Sequence, residues 1–149
     1  MERFAILTLC FFKAAVFADD SADDLGLKAA VEAQQHAYCP YSDYPVGAAL
    51  VGASGKIYTG CNVENASYGL CICAERNAVF KAVSEGEQDF TTIYIITKDG
   101  GVSCGACRQV LYEFNPKIRI VAADDALNLH CDTTLDVLLP HAFGPKNLQ

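Results

Sequence analysis

The sequence has no run of lysine or arginine residues, and its basic residues are outnumbered by its acidic ones. Eleven Lys and Arg stand against 18 Asp and Glu, which makes the formal net charge −7. The only basic cluster, Arg76 with Lys81, is interrupted by apolar residues. Proteins that bind nucleic acid take much of their affinity from basic side chains on the phosphate backbone. The charge therefore argues against a nucleic-acid partner and favours a small neutral or cationic substrate.

No apolar segment reaches the ~20 residues that a transmembrane helix needs. The longest candidate, residues 4–12, is uncharged and largely apolar, follows Arg3, and leads into small residues of the kind that precede a cleavage site. That order is typical of a secretory signal peptide, although Glu2 and Lys13 are not. Residues 1–18 are therefore either a signal peptide or an N-terminal extension, and no membrane partner is expected.

Internal repeats and low-complexity linkers are also lacking. At 149 residues the chain is long enough to bury the core of one domain. The polar segment DDSADD, residues 19–24, is interpreted as an acidic junction that precedes the folded domain, residues 25–149.

Cysteine, by contrast, is abundant, with eight residues. An even number of cysteines behind a signal peptide is typical of a disulfide framework. A domain of this size does not need one, and Cys104 and Cys107 have the Cys-x-x-Cys spacing of metal ligands. We expect three metal ligands, with free or buried thiols elsewhere in the chain, at Cys10, Cys39, Cys61, Cys71 and Cys131.

Hydrophobic periodicity predicts an α/β fold. Helical spacing of apolar residues predicts helices over 25–38, 73–87 and 104–114, and a short final helix over 133–140. Apolar and β-branched runs predict two strands around a glycine-containing turn at 52–55, and further strands at 91–97 and 118–123. Alternating strands and helices indicate parallel crossovers, whereas the first two strands are close enough for a hairpin. The sheet is therefore expected to be mixed.

The Cys104 and Cys107 pair fits a redox couple, half of a structural zinc site, or two ligands of a catalytic metal. The pair and Cys73 stand where predicted helices begin, and helix N-termini stabilise the thiolates that bind zinc. Three thiolates can converge on one ion and leave its fourth position open, as in catalytic sites. Glu75, two residues beyond Cys73, can reach that position. This pattern is the signature of zinc-dependent nucleobase deaminases, in which the glutamate is acid and base rather than ligand.

Four blocks stand in the order of a known family, namely YSDYPVGAAL (41–50), GCNVENASYG (60–69), CAERNA (73–78) and CGACRQV (104–110). They resemble the small, homotetrameric cytidine deaminases, and with the LLPHAF ending the resemblance spans residues 25–143. The resemblance implies a three-layer α/β/α sandwich around a five-stranded mixed sheet, with 25–149 as the catalytic domain. It also implies zinc-dependent hydrolytic deamination of cytidine and deoxycytidine to uridine and deoxyuridine, with release of ammonia, in pyrimidine salvage.

Site residues follow by position in the matching blocks. The resemblance implies that Cys73, Cys104 and Cys107 bind one zinc ion per subunit and that Glu75 shuttles protons. Arg76 resembles an arginine that hydrogen-bonds the ligand thiolates and draws off their negative charge.

The resemblance also implies a nucleoside pocket. Asn62 and Glu64 resemble the pair that holds the ribose hydroxyls, which need both donors and acceptors. Tyr44 stands where the family usually has phenylalanine, and its ring is expected to stack on the base. The backbone around Ala74 would contact the pyrimidine edge. Phe143 resembles the C-terminal aromatic residue that one subunit of a homotetramer lends to its neighbour's active site.

Two positions depart from the family. Val102 and Ser103 stand where the family has Ser-Pro, and the loss of proline frees an N–H group and relaxes the loop before Cys104. Cys71 stands where threonine is common, and it is expected to lie on the preceding segment and point away from the ion.

Three other functions remain open. The chain could deaminate a cytosine-containing antibiotic such as blasticidin S, edit nucleic acid, or be a catalytically inactive zinc-binding assembly protein. The NVEN block favours ribose, the acidic charge disfavours an editor, and an intact Glu75 disfavours an inactive protein. The sequence identifies no residue that would distinguish cytidine from deoxycytidine. The resemblance implies a cytosolic location, and a functional signal peptide over residues 1–18 would instead imply secretion.

Overall fold

The computed structural model describes residues 20–148, so the candidate signal peptide at 1–18 lies outside the described residues. Its elements are α1 (Asp20–Gln34), β1 (Val46–Gly52), β2 (Ile57–Cys61), α2 (Ala74–Ser84), β3 (Phe90–Thr97), α3 (Gly105–Phe114), β4 (Arg119–Ala123), β5 (Leu129–Thr134) and α4 (Leu135–Leu138). Within residues 20–148, none of the helices is both long and apolar enough to cross a membrane.

The five strands form one mixed sheet in the order β2-β1-β3-β4-β5. β1 pairs antiparallel with β2 and with β3, and β4 pairs antiparallel with β5. β3 and β4 are parallel and are joined through α3, which forms the predicted crossover. The sheet is therefore mixed, as expected, and β3 is its central strand.

Helices cover both faces of the sheet. On one face, Ala30 of α1 packs against apolar side chains of β1, β3 and β4, namely Ala49, Tyr94, Ile96, Val121 and Ala123. On the other, α2 and α3 cover the alternate residues of the same strands, among them Ala48, Leu50, Ile93, Ile95, Ile120 and Ala122. Successive side chains of a strand point to opposite faces, so each strand supplies both cores. The predicted three-layer α/β/α sandwich with a five-stranded mixed sheet is confirmed.

Two predictions about element boundaries were wrong. The segment expected to be an acidic junction belongs to the fold, because α1 begins at Asp20 and includes residues 20–24. Acidic residues favour the first turn of a helix through the macrodipole, and Asp23 is paired with Arg119 of β4. The last helix was expected over 133–140, but β5 continues to Thr134 and α4 contains only Leu135–Leu138. β5 is an edge strand whose residues are all partly or fully exposed, so it lacks an apolar run.

The order of the elements places two helix N-termini together. α3 follows the carboxyl end of β3 through a short loop, whereas α2 leads back to the amino end of β3. Both helices therefore begin near the carboxyl end of the central strand. The first turn of α2 lies close against β2, where a side chain at Gly60 would overlap the Ala74 carbonyl oxygen.

Candidate active site

Three cysteine sulfurs meet where α2 and α3 begin. Cys73 is the N-cap of α2 and Cys104 is the N-cap of α3, with Cys107 one turn further along. The Cys73 and Cys104 sulfurs are 3.9 Å apart, and those of Cys104 and Cys107 are 3.5 Å apart. All three lie within 4.8 Å of one another. Tetrahedral zinc with Zn–S bonds of about 2.3 Å places its sulfurs about 3.8 Å apart, so the arrangement fits such an ion.

One of the three thiols is already disposed to be a thiolate. Hydrogen bonds from Cys107 and Arg76 lower the pKa of Cys73 to about 5, although burial acts in the opposite direction. The same pairing with Cys73, together with burial, raises the pKa of Cys107. Cys73 is therefore the anion of the pair and Cys107 keeps its proton. A metal ion binds thiolates in competition with protons, so it would displace this proton.

Arg76 is the cation of the cluster. Its Nη2 donates to the Cys73 sulfur over 3.4 Å, and its buried Nε has no hydrogen-bond partner within residues 20–148. Arg108, which follows Cys107 in the sequence, turns elsewhere: it donates to the carbonyls of Ser103 and Leu138. Arg76 is thus the arginine placed to offset thiolate charge, and Arg108 fastens α3 to the loop before it and to α4.

Glu75 lies in the first turn of α2 and is only 4% exposed. Burial raises the pKa of its carboxyl group, and the nearby Cys73 acts in the same direction. A buried carboxyl group with a raised pKa beside a metal-binding cluster is suited to taking up and releasing a proton. We refer to Cys73, Cys104, Cys107, Glu75 and Arg76 together as the cysteine cluster.

The cysteine cluster forms one wall of a cavity of about 440 Å³. The other walls come from the loop before β1, the end of β2, the segment before α2, and β3 with the loop that follows it. Apart from Cys73, Cys104, Glu75 and Arg76, the lining consists of Ser42, Tyr44, Val46, Asn62, Glu64, Cys71, Ile72, Ile95, Thr97, Gly101 and Val102. This volume lies within the range of small-molecule sites.

Paired main-chain contacts hold the segment after β2 beside the cysteine cluster. Val63 and Ile72 exchange N–H to carbonyl hydrogen bonds of 3.0 Å, which brings this segment against the residues preceding Cys73. On its other side, Tyr38 donates to the Asn62 carbonyl at 3.0 Å and accepts from the Glu64 N–H at 2.8 Å. Asn62 and Glu64 are therefore fixed at the cavity on both sides of the segment.

The side chains of Asn62 and Glu64 are oriented by neighbouring backbone. Asn62 accepts from the Val46 N–H at 2.8 Å and donates to the Tyr44 carbonyl at 2.9 Å. Glu64 Oε2 accepts from the N–H groups of Tyr41 and Ser42, and hydrogen bonding from Ser42 and Tyr41 lowers its pKa. An amide has two donor hydrogens and a carboxylate has about four acceptor positions. Both side chains therefore keep hydrogen-bonding capacity for a ligand.

Tyr44 lines the cavity, and its hydroxyl donates to Asp99. The sequence pattern indicates a role for the ring but not this partner, which lies 55 positions away. Residues that directly follow a central strand of an α/β sheet are where ligands commonly bind. That general rule could have drawn attention to Thr97, Asp99 and Gly101, which lie at or beyond the end of β3.

Three residues are placed differently from the rest. Phe143 is 59% exposed and is not among the described residues that line the cavity. Ala74 is fully buried and is likewise not among the described residues that line the cavity. Cys71 lines the cavity, and its sulfur accepts from the Asn65 N–H at 3.3 Å rather than joining the three clustered sulfurs.

The Val102-Ser103 departure produces a small local defect. Ser103 is 2% exposed, and within the described part of the chain its hydroxyl has no hydrogen-bond partner. Its carbonyl accepts from Arg108, so the loop before Cys104 is held at its backbone.

A family model described as the cytidine and deoxycytidylate deaminase zinc-binding region matches residues 20–123. This range includes the whole cysteine cluster together with Tyr44, Asn62 and Glu64.

Individual relatives extend the similarity over most of the chain. The cytidine deaminase of Sporosarcina psychrophila is 45% identical over 120 residues, 78% of this chain and 88% of that protein. The probable cytidine deaminase of Dictyostelium discoideum is 46% identical over 125 residues, 82% of this chain and 84% of that protein. A crystal structure of cytidine deaminase from Burkholderia pseudomallei matches with a TM-score of 0.76 at 44% identity, covering 80% of this chain and 98% of that one.

Proposed function

The chain belongs to the cytidine and deoxycytidylate deaminase family, and we propose that it hydrolyses cytidine and deoxycytidine to uridine and deoxyuridine. Water is consumed and ammonia is released in each turnover. The observation that carries the proposal is the cysteine cluster: three sulfurs at the spacing of zinc ligands, with a buried glutamate beside them in a nucleoside-sized cavity. Three side-chain ligands leave the fourth tetrahedral position of a zinc ion open, as hydrolytic chemistry requires.

Zinc in such a site acts as a Lewis acid that makes water nucleophilic at neutral pH. Glu75 takes a proton from the attacking water and gives it to N3 of the cytosine ring as C4 is attacked. Glu75 then takes the remaining proton of the hydroxyl group added at C4 and transfers it to the amino group, so that the C4–N bond breaks, ammonia leaves and the C4 carbonyl forms. One carboxyl group serves as base and then as acid, which suits a group whose pKa burial has raised toward working pH.

Arg76 offsets the charge of the thiolates. Three thiolates carry one more charge than Zn²⁺ neutralises, and excess negative charge weakens a Lewis acid. The Arg76 guanidinium on Cys73 withdraws part of that charge, and the N-termini of α2 and α3 act in the same direction.

Nucleoside binding is proposed for the remaining walls. Tyr44 stacks on the base, and Asn62 and Glu64 bind ribose hydroxyls with the hydrogen-bonding capacity that their backbone partners leave. The backbone of Ala74 is proposed to contact the pyrimidine edge, since its N–H, in the first turn of α2, has no acceptor within its own helix.

Two rival functions fit less well. A cytosine-containing antibiotic such as blasticidin S would use the same metal site, but Asn62 and Glu64 present the donors and acceptors that a ribose needs. An inactive assembly protein would have no use for a buried ionisable Glu75, because a buried carboxyl group costs stability.

A homotetramer with shared active sites is part of the proposal. Tyr41 and Tyr68 pack edge to face at 5.8 Å beside the cavity and are exposed, as Phe143 is. A neighbouring subunit would cover these aromatic side chains and bring its own Phe143 to the pocket. Cross-linking or light scattering of the purified protein tests the subunit number. Sequencing the N-terminus of the mature protein distinguishes a cytosolic protein, which keeps residues 1–18, from a secreted one.

The function is tested by ammonia release from four substrates at equal concentration: cytidine, deoxycytidine, blasticidin S and a cytosine-containing oligonucleotide. We expect turnover of both nucleosides, with about one zinc per subunit by metal analysis. Preferred turnover of blasticidin S or of the oligonucleotide would replace the proposal by that activity. Zinc-loaded protein that is inactive on all four would indicate the assembly role.

A further inference from the structure

We propose that Asp99 is a positioning residue for the reaction, holding the Tyr44 ring in the orientation that receives the substrate base. The inference rests on the proposed function, and it concerns a contact that a phenylalanine at position 44 could not make. The contact joins the loop before β1 to the loop after β3, beside the cavity that Tyr44 lines.

The Tyr44 hydroxyl is tied to the end of the central strand. It donates to Asp99 Oδ1, which also accepts from the Thr97 hydroxyl at 3.3 Å. The Thr97 hydroxyl in turn accepts from the Gly101 N–H at 2.6 Å. Thr97 is the last residue of β3 and only 3% exposed, so the chain of hydrogen bonds ends in a rigid part of the sheet.

The other end of Tyr44 is fixed through its backbone. Its N–H donates to the Ser42 hydroxyl at 3.2 Å, and its carbonyl accepts from Asn62 Nδ2 at 2.9 Å. With the backbone held by Ser42 and Asn62 and the hydroxyl held by Asp99, little rotation of the ring remains. A ring already fixed in its binding orientation loses less entropy when the base stacks on it.

Two neighbours of Asp99 support the same geometry. The Lys98 ammonium lies over the Tyr44 ring, 5.2 Å from its centroid, at a distance typical of a cation–π contact. Gly101 leaves the room that the hydroxyl occupies, since a Cβ there would lie 2.8 Å from the Tyr44 hydroxyl oxygen. The loop after β3 thus contacts the ring at both its face and its hydroxyl.

Loosening the ring should affect substrate binding and the transition state about equally. An interaction made equally in both states changes KM and leaves kcat nearly unchanged. Asp99 is exposed and Tyr44 is half-buried, so the contact is worth less than a fully buried charged hydrogen bond.

The test is a double-mutant cycle on the full-length, zinc-loaded protein with cytidine as substrate. We expect Asp99→Ala and Tyr44→Phe each to raise KM about threefold to tenfold, with kcat within about twofold of wild type. The double variant should raise KM no further than either single change, because both remove one contact. Asp99→Asn, which keeps an acceptor oxygen, should recover most of the loss.

Asp89→Ala is the matched control, because Asp89 is an exposed aspartate that does not line the cavity, and its KM should equal that of wild type. An unchanged KM in Asp99→Ala would overturn the inference, as would KM increases that multiply in the double variant. A loss of kcat with reduced zinc content would also overturn it, by showing a structural role. Wild-type protein inactive on cytidine would overturn the proposed function itself, which distinguishes the two failures.

Discussion

Two clusters of charged side chains lie on opposite faces of the same sheet, and they differ in how completely their polar groups are paired. One is the cysteine cluster on the side of α2 and α3. The other, here called the Arg119 cluster, consists of Arg119, Asp23, Asp132 and Tyr94 on the side of α1. Both join an arginine to anionic partners, yet only one of them leaves buried polar groups without partners.

In the Arg119 cluster, all three guanidinium nitrogens donate hydrogen bonds to carboxylate oxygens. The guanidinium meets Asp23 through two contacts of 2.8 and 3.0 Å, and Asp132 through two of 2.8 Å. Tyr94 donates its hydroxyl to Asp23 at 2.5 Å. Bidentate pairs of this kind match the fork of the guanidinium to a carboxylate. The cluster fastens the first turns of α1 to β4 and β5, and it has a structural role.

In and beside the cysteine cluster, by contrast, some buried polar atoms lack a hydrogen-bond partner within the described residues. Arg76 donates to the Cys73 sulfur over 3.4 Å and also interacts with Cys107, but its buried Nε has no partner among residues 20–148. Glu75 is buried with a raised pKa, and the Ser103 hydroxyl nearby is also buried without a partner in the described chain. Buried polar groups normally find partners, so a concentration of exceptions marks a place where stability is given up for a ligand. Both clusters carry charge. The functional cluster differs from the structural one because some of its buried polar groups lack hydrogen-bond partners.

The sharpest test of that distinction is Glu75→Gln. The change keeps the shape of the side chain and removes its ability to carry a proton, so kcat should fall about 10²-fold to 10⁴-fold. Zinc content should stay at the wild-type ratio, because the glutamate is not a ligand, and the melting temperature should not fall. Metal analysis, cytidine turnover and calorimetry on the same preparation provide the three measurements.

Glu32→Gln is the control for that experiment, because Glu32 is an exposed glutamate on α1, and it should match wild type throughout. If Glu75→Gln kept more than about a tenth of the turnover, the carboxyl group would not be the proton carrier. Loss of zinc in the variant would make Glu75 part of the metal site instead.

Arg76→Ala should have the next largest effect. Removing a group that contacts a metal ligand typically costs 10-fold to 100-fold in activity or metal affinity. We expect kcat to fall by about that factor while most of the zinc remains bound, because all three sulfurs are still present. Arg76→Lys should be intermediate, since it restores the charge without the planar fork. Full activity in Arg76→Ala would count against charge balancing.

Arg119→Ala should show the opposite pattern, a loss of stability without a loss of turnover. The substitution leaves the carboxylates of Asp23 and Asp132 without their cation. These two side chains are 26% and 44% exposed. The loss of unfolding free energy should therefore lie between that of a surface ion pair and that of a buried one, at about 1–2 kcal/mol. That corresponds to a melting temperature lower by about 3–6 °C. Lys117→Ala, at an exposed basic residue close by in sequence, should change neither quantity. A fall in kcat of the folded Arg119→Ala protein would break the comparison.

The two clusters also differ in how far the sequence predicts them. The spacing of Cys73, Glu75, Cys104 and Cys107 relative to predicted helix starts was enough to expect three sulfurs around one ion. That inference needs only local sequence. Cys73 and Cys104 are positioned by the helices that they begin, and the alternation of strands and helices along the chain positions the two helices. The four apolar strands were predicted for the same reason, since their own residues carry the pattern.

The parts that the sequence did not predict depend on distant partners. The first acidic residues look like a linker until Asp23 is seen beside Arg119, 96 positions away. β5 was missed by the residue pattern because an exposed edge strand has no apolar face to reveal it, and only the family resemblance implied a fifth strand. The contact of Tyr44 with Asp99 was likewise invisible, because two loops 55 residues apart meet only in the fold.

The smallest expected effect concerns pH and the Arg119 cluster alone. Hydrogen bonding from Arg119 lowers the pKa of Asp23 below its ordinary value of 3.8. A carboxyl group whose pKa is lower in the folded state adds stability above its unfolded pKa, and this contribution is lost as pH falls through the folded pKa. The difference in unfolding free energy between wild type and Arg119→Ala should therefore be constant from about pH 7 to 5 and shrink below about pH 4. Urea unfolding of both proteins across this pH range measures the difference. The control repeats the comparison without the Asp23 carboxylate. The difference in unfolding free energy between Asp23→Asn and the double variant Asp23→Asn/Arg119→Ala should lack most of this pH dependence. If the difference in unfolding free energy instead increased as the pH fell, Asp23 would not be the group that Arg119 stabilises.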